Sequence, residues 1–195
     1  MIYFAHMQSA PSTIYSQSID KQRVVIAGKS KARIAEMIAH VLKQSGRKID
    51  LSTSVTEQIS DAPTIVIEAN GDPKSLTEYQ HHILIFSPLA ASEKDIYSKL
   101  ADSTPKSGGI FFDDGDELAK SIAKKERADV VTVPFSVPKH EMKNGTATLI
   151  SSTNEKIPTR LTSVEDLKNC NAAKEFLQKI GITSSQFYKA ISTFQ

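Results

Sequence analysis

Short runs of β-branched and aliphatic residues recur along the chain with helical stretches between them. This alternation constrains the fold more than any other feature of the sequence. Arg23 to Ala27 reads as a short buried strand, stopped by Gly28. From Ser30 to Gln44 the apolar residues Ile34, Met37, Ile38, Val41 and Leu42 recur at spacings of three and four. They therefore share one face of a helix, which Gly46 closes. Further strands are predicted at Ile49 to Leu51, at Thr64 to Ile67 leading into Glu68, and at Ile83 to Phe86, Ile110 to Phe112 and Val130 to Val133. A polar connection separates the second and third strands. Helices are predicted over Ser92 to Leu100 and Asp116 to Ala128, with a turn at Gly108-Gly109.

Strands apolar on both faces argue for an α/β fold, a mostly parallel sheet flanked by helices, with ligands beyond the carboxyl ends of the strands. After Pro138 the character changes. Thr146 to Ser151 and Ile157 to Leu161 form a small β-hairpin region, and two C-terminal helices follow. The first runs from Val164 to Ile180 and ends at Gly181. The second is capped by Thr183 or Ser184 and runs to about Phe194. Residues 1–21, rich in Ser and Gln, show no periodicity and read as an irregular lead-in to a domain spanning 22–195.

A chain of 195 residues buries enough surface to need no staple. The single Cys170 excludes an internal disulfide framework and fits a reducing compartment. With 24 basic and 22 acidic residues the net charge is +2, too small to condense the chain onto nucleic acid. The longest clearly apolar runs, such as Val24 to Ala27, fall far short of the about 20 residues that span a bilayer. Residues 1–20 lack the pattern of a signal peptide. A cytoplasmic protein with no nucleic-acid or membrane partner is expected.

The turn Gly28-Lys29-Ser30-Lys31 lies between a buried strand and an amphipathic helix, a position suited to phosphate. The full GxxxxGK[ST] pattern is absent, because no Gly precedes Lys31 and Ala32 lacks the hydroxyl that would hold magnesium. The residues alone leave an ordinary strand-to-helix turn and a weakened anion site both open. His81-His82 have poor chelating spacing, and Asp113-Asp114-Gly115-Asp116 reads as a strand end plus helix cap rather than a calcium loop. Cys170 reads as a buried thiol.

Val25-Ile26-Ala27-Gly28, Lys31 and Met37 to Leu42 resemble the start of the central ATP-binding domain of the Mur ligases, where an IAGTHGKT loop precedes a helix reading MIAHVL. Pro63 to Ala69 resembles the strand ending in that family's EADE motif. Ile83 to Tyr97 resembles its NIExDH segment, Thr104 to Asp114 its PxGG turn, and Asn169 to Gly181 its HNxxNxxAA helix. The resemblance covers most of residues 22–195 and is nearest in wording to ligases that attach a peptide to UDP-N-acetylmuramate in peptidoglycan recycling. It implies a P-loop-type sheet, ATP and magnesium as cofactors, and amide formation through an acyl phosphate.

Residue by residue, the resemblance places Gly28, Lys29, Ser30 and Lys31 at the phosphates and Glu68 at the metal. Departures cluster at the chemistry. Ala32 replaces Thr, Asn70 and Gly71 stand in the second half of EADE, and Pro88, Ala90, Ser92 and Glu93 replace the polar members of NIExDH. Glu165 and Asp166 replace His and Asn. The expectation is a Mur-ligase-like domain without catalysis of its own. The rivals are an active ligase component with an atypical ATP site, and a nucleotide-sugar binder without turnover. Candidate partners are a nucleotide or UDP-sugar and separate amino- and carboxy-terminal Mur domains.

Overall fold

The apolar runs pair with one another, and they pair in parallel. In the computed structural model, which describes residues 8–195, β1 (Gln22–Ala27) forms the centre of a seven-stranded sheet. β4 (Thr64–Glu68) and β5 (Ile83–Phe86) flank it on either side. β2 (Asp50–Ser52) and β3 (Glu57–Gln58) continue beyond β4. β6 (Gly109–Asp113) and β7 (Val131–Phe135) continue beyond β5. β3 runs antiparallel to β2, and the other neighbours are parallel. The chain thus builds one side of the sheet first and then passes β1 to build the other. That reversal leaves a crevice at the carboxyl ends of β1, β4 and β5.

Alternation along the strands sorts the core into two layers. Val24, Ile26, Val66, Ile85 and Phe111 face α2 (Lys31–Gln44), α5 (Val164–Lys179) and α6 (Ser184–Ile191). Val25, Ile65, Ile67, Leu84 and Phe112 face α1 (Pro11–Gln17), a 3-10 helix at Pro73–Tyr79, α3 (Lys94–Asp102) and α4 (Glu117–Ala123). A separate antiparallel sheet of β8 (His140–Lys143), β9 (Thr146–Ile150) and β10 (Lys156–Pro158) adds Ala147, Leu149 and Ile157 to the first layer. Among the described residues no helix is long and apolar enough to cross a membrane.

The lead-in departs from its irregular reading. Residues 11–17 form α1, with Pro11 in its first turn and Ile14 buried against the sheet. Fewer than two turns and two buried side chains leave no period to detect. Residues 1–7 lie outside the described residues. The polar connection contains β3, and the hairpin region has a third strand, β8, whose largely exposed His140 to Lys143 shows no apolar alternation. Gly109 belongs to β6 rather than to a turn. α4 stops at Ala123, five residues early, because the Arg127 guanidinium donates to the carbonyls of Ile122, Ala123 and Lys125 and closes the end. The final helix ends at Ile191, and Thr183 with Gln186 forms a capping box at its start.

At the outer border, Val131 N–H donates to Gly108 and Phe135 accepts from Asp114, so the odd-numbered residues of β7 face β6. Thr132 and Pro134 therefore present their main-chain groups to the free edge.

Candidate functional site

Three residues, Gly28, Lys29 and Ser30, carry the chain from the end of β1 into α2. Gly28 has φ +111°, and a Cβ there would lie 2.5 Å from Ser87 Oγ, 2.7 Å from Ser87 O and 2.9 Å from Pro88 O. The turn is pressed against the end of β5. Lys29 N–H donates to the Pro88 carbonyl at 3.0 Å, and Ser30 N–H donates to Ser87 Oγ at 3.0 Å. Ser87 Oγ in turn donates to the Ala27 carbonyl at 3.1 Å. Two main-chain donors of the turn thus bond the residues that follow β5. Gly28→Ala is expected to cost about 2 kcal/mol in urea unfolding, since left-handed backbone and a main-chain clash act together. An unchanged midpoint would contradict this packing.

The first turn of α2 carries Lys31 and Arg33 and no acid, so its positive end attracts carboxylates. α5 supplies them. Ser30 Oγ donates to Glu165 Oε1 at 2.5 Å, and Arg33 Nε meets Asp166 Oδ1 at 3.1 Å. Both acids also sit in the first turn of α5, where its own dipole favours them. A polyphosphate approaching Ser30 meets this negative pair.

Lys31 points away from it. Its Nζ donates to the Ala69 carbonyl at 2.6 Å and lines a cavity of about 200 Å³ with Gly28, Asn70, Glu93 and Tyr97. Burial lowers the Lys31 ammonium below its ordinary value, while Glu68 and Glu93 act to raise it. Tyr97 donates to Glu93 Oε2 at 2.5 Å, and burial together with that bond raises its phenol.

Glu68 ends β4 on the other face of the sheet, beside Val66, and is 2% exposed. Its Oε2 accepts from Ser54 N–H at 3.2 Å and from Asn70 Nδ2 at 3.5 Å. Gln8 stitches the same corner, donating to Ser52 and the Glu68 carbonyl and accepting from Asn70. The candidate phosphate residues are therefore contiguous, whereas Lys31 and Glu68 line different cavities. Among the described residues no group of three or more His, Cys, Asp or Glu is arranged to hold a metal. Reasoning from sequence missed Ser87 and Gln8. A hydroxyl directly after the Ile83 to Phe86 run was the available signal for the first; nothing pointed to the second.

Asp116 caps α4 through Leu118 N–H and Ala119 N–H, as the strand-end reading of that acidic run expects. Cys170 is buried, and burial pushes its thiol up to about 12. His81 is buried against Thr104 Oγ1 and His82 accepts from Arg23 N–H, so each imidazole serves the amino ends of the strands, far from the turn.

No protein-family model and no curated protein sequence matches the chain. Solved structures do. A murein peptide ligase from Psychrobacter arcticus superposes with a TM-score of 0.74 at 14% identity, over 95% of this chain and 50% of that one. This is the Mur ligase fold. A UDP-N-acetylmuramate–alanine ligase from Thermotoga maritima shares it at a TM-score of 0.70 and 13% identity, over 94% of this chain and 47% of that one. So does folylpolyglutamate synthetase from Lactobacillus casei, at a TM-score of 0.70 and 15% identity, over 98% and 68%. The chain spans about half the length of the two Mur ligases.

Proposed function

We propose that this chain is a catalytically silent domain of the Mur ligase fold. It is related to ATP-dependent amide-bond ligases of peptidoglycan synthesis and recycling, but acts as a binding or interaction module that neither holds nor spends Mg-ATP. The observation that carries this reading is the closed turn: the Lys29 and Ser30 amides are taken by Pro88 and Ser87, and the Ser30 hydroxyl by Glu165. Phosphoryl transfer depends on fixed donors and a metal around the transferring group. Gly28, Lys29, Ser30 and Lys31 remain as the relic of a phosphate site, and Glu68 as the relic of a metal contact. Ala32 has no hydroxyl to offer, and the Glu68 carboxylate is turned to Ser54 and Asn70. Residues 22–195 would be the central domain, working in the cytoplasm, with separate amino- and carboxy-terminal Mur domains as candidate partners.

A second reading, an active ligase component with an atypical ATP site, draws on one observation: Lys31 still borders a cavity beside Glu93 and Tyr97. Calorimetric titration separates the two. With magnesium and ATP the silent domain gives no binding heat at millimolar nucleotide and releases no phosphate. Magnesium-dependent binding below millimolar, or ATP turnover, would reject it. A thermal shift with UDP-N-acetylmuramate but not ATP would instead favour a nucleotide-sugar binder.

A further inference from the structure

A larger groove of about 520 Å³ opens on the α2 face of the sheet, away from the turn. Ala32, Ala35 and Ala39, at helical spacing along α2, form an alanine wall, and Leu51, Val55 and Phe194 add further apolar lining. The small side chains leave the helix backbone close to the opening, and the volume lies in the range that encloses a small organic molecule. Among the described residues that line it, Glu68 and Glu36 are the acidic side chains, Thr53, Thr56 and Thr193 add hydroxyls, and no lysine or arginine takes part.

Glu68 is the decisive group. It is 2% exposed, yet among the described residues its carboxylate is bonded by Ser54 N–H at 3.2 Å and Asn70 Nδ2 at 3.5 Å, both long. A carboxylate accepts about four hydrogen bonds, and a buried anion without a cationic partner is costly. Lys31 feels the charge of Glu68, but its ammonium is spent on the Ala69 carbonyl and lines the other cavity. His40, also on the groove, is held through Nε2 by the Ala190 carbonyl at 2.9 Å and Thr193 Oγ1 at 3.0 Å. Apolar walls with a buried carboxylate among them suit an ammonium group carried on a compact apolar body.

The geometry points to this groove as a binding site for a small organic amine, with its ammonium on Glu68 and its apolar body along the alanine wall. The assignment goes beyond the closed nucleotide turn and does not depend on it, since titration with Mg-ATP and titration with an amine are separate readouts.

Fluorine-detected NMR on the full chain tests it, with para-fluorophenethylamine as the probe. The corresponding neutral alcohol, the corresponding carboxylate and a short lysine-bearing peptide serve as comparisons. The amine is expected to bind about tenfold or more tightly than the alcohol, the advantage of a charge-assisted hydrogen bond, and the carboxylate not to bind. Glu68→Gln should remove that advantage, and Ala39→Leu, on the half-buried side of α2, should abolish binding by filling the groove. Because Glu68 is buried, each variant is melted first. If Glu68→Gln fails to fold, Ala39→Leu and the amine-to-alcohol ratio still decide. Equal binding of amine and alcohol, amine binding unaffected by Ala39→Leu, no amine binding at millimolar concentration, or binding of the peptide alone would each overturn the assignment.

Discussion

Lys21→Met is expected to lower the stability of the chain by about 3–5 kcal/mol, the cost of removing one partner from a buried ion pair. The Lys21 and Asp50 side chains are 5% and 0% exposed, and Nζ lies 3.2 Å from Asp50 Oδ2. The same ammonium donates to the Ser60 and Ala62 carbonyls at 2.9 Å each. Methionine fills the volume but takes the Lys21 donor from two carbonyls and leaves a buried carboxylate with only Ser60 Oγ, at 2.6 Å, to solvate it among the described residues. Adding Asp50→Asn should recover much of the loss, because it removes the stranded charge and keeps an acceptor for Ser60. Urea unfolding of the two variants decides. A loss below about 1 kcal/mol in the single variant, or no recovery in the double, would mean that the pair is not the tie between β2 and the start of β1.

Acid should unfold the protein through His81. The side chain is fully buried, Nε2 meets Thr104 Oγ1 at 2.9 Å, and Nδ1 has no hydrogen-bond partner among the described residues. Burial, and secondarily His82 and Arg23, push its imidazole down to about 3. The folded form therefore keeps His81 neutral while the unfolded chain takes up a proton near the ordinary value of about 6.5. Protons favour the unfolded state across that interval. The contribution is complete above the ordinary value and shrinks as pH falls toward about 3, at up to about 1.4 kcal/mol per pH unit. His81→Gln should flatten this part of the profile while lowering stability at neutral pH. Urea midpoints at a series of pH values test it, and an unaltered acid slope in the variant would assign the sensitivity elsewhere.

The sheet was readable because burial on both faces forces continuous apolar runs. Ile83 to Phe86 coincides with β5, and Val24 to Ala27 lies inside β1. Elements that bury little were not. α1 hides Pro11 and Ile14, and β8 is largely exposed, so neither writes a period into the sequence. Of the candidate site, the strand-to-helix turn at Gly28 to Lys31 was legible in the sequence, and its contacts were not. Ala32 without a hydroxyl and Glu165 in place of His can be read from the residues, but neither says which groups the turn bonds. That Ser87 would take the Ser30 amide, and Glu165 its hydroxyl, depends on contacts 57 and 135 residues apart, which no local pattern encodes. That Lys31 reaches across to the Ala69 carbonyl, and so lines a different cavity from Glu68, depends on how the start of α2 meets the end of β4 in space.

Pro134 on the outward side of β7 has a consequence for how copies of this chain meet. An intruding segment laid along that border would find an acceptor but no donor at Pro134. At the opposite margin, β3 offers only Glu57 and Gln58, too brief a template to recruit a neighbour. Lateral polymerisation through the sheet is thereby discouraged at both ends, and association between copies would have to run through helices or side-chain surfaces instead.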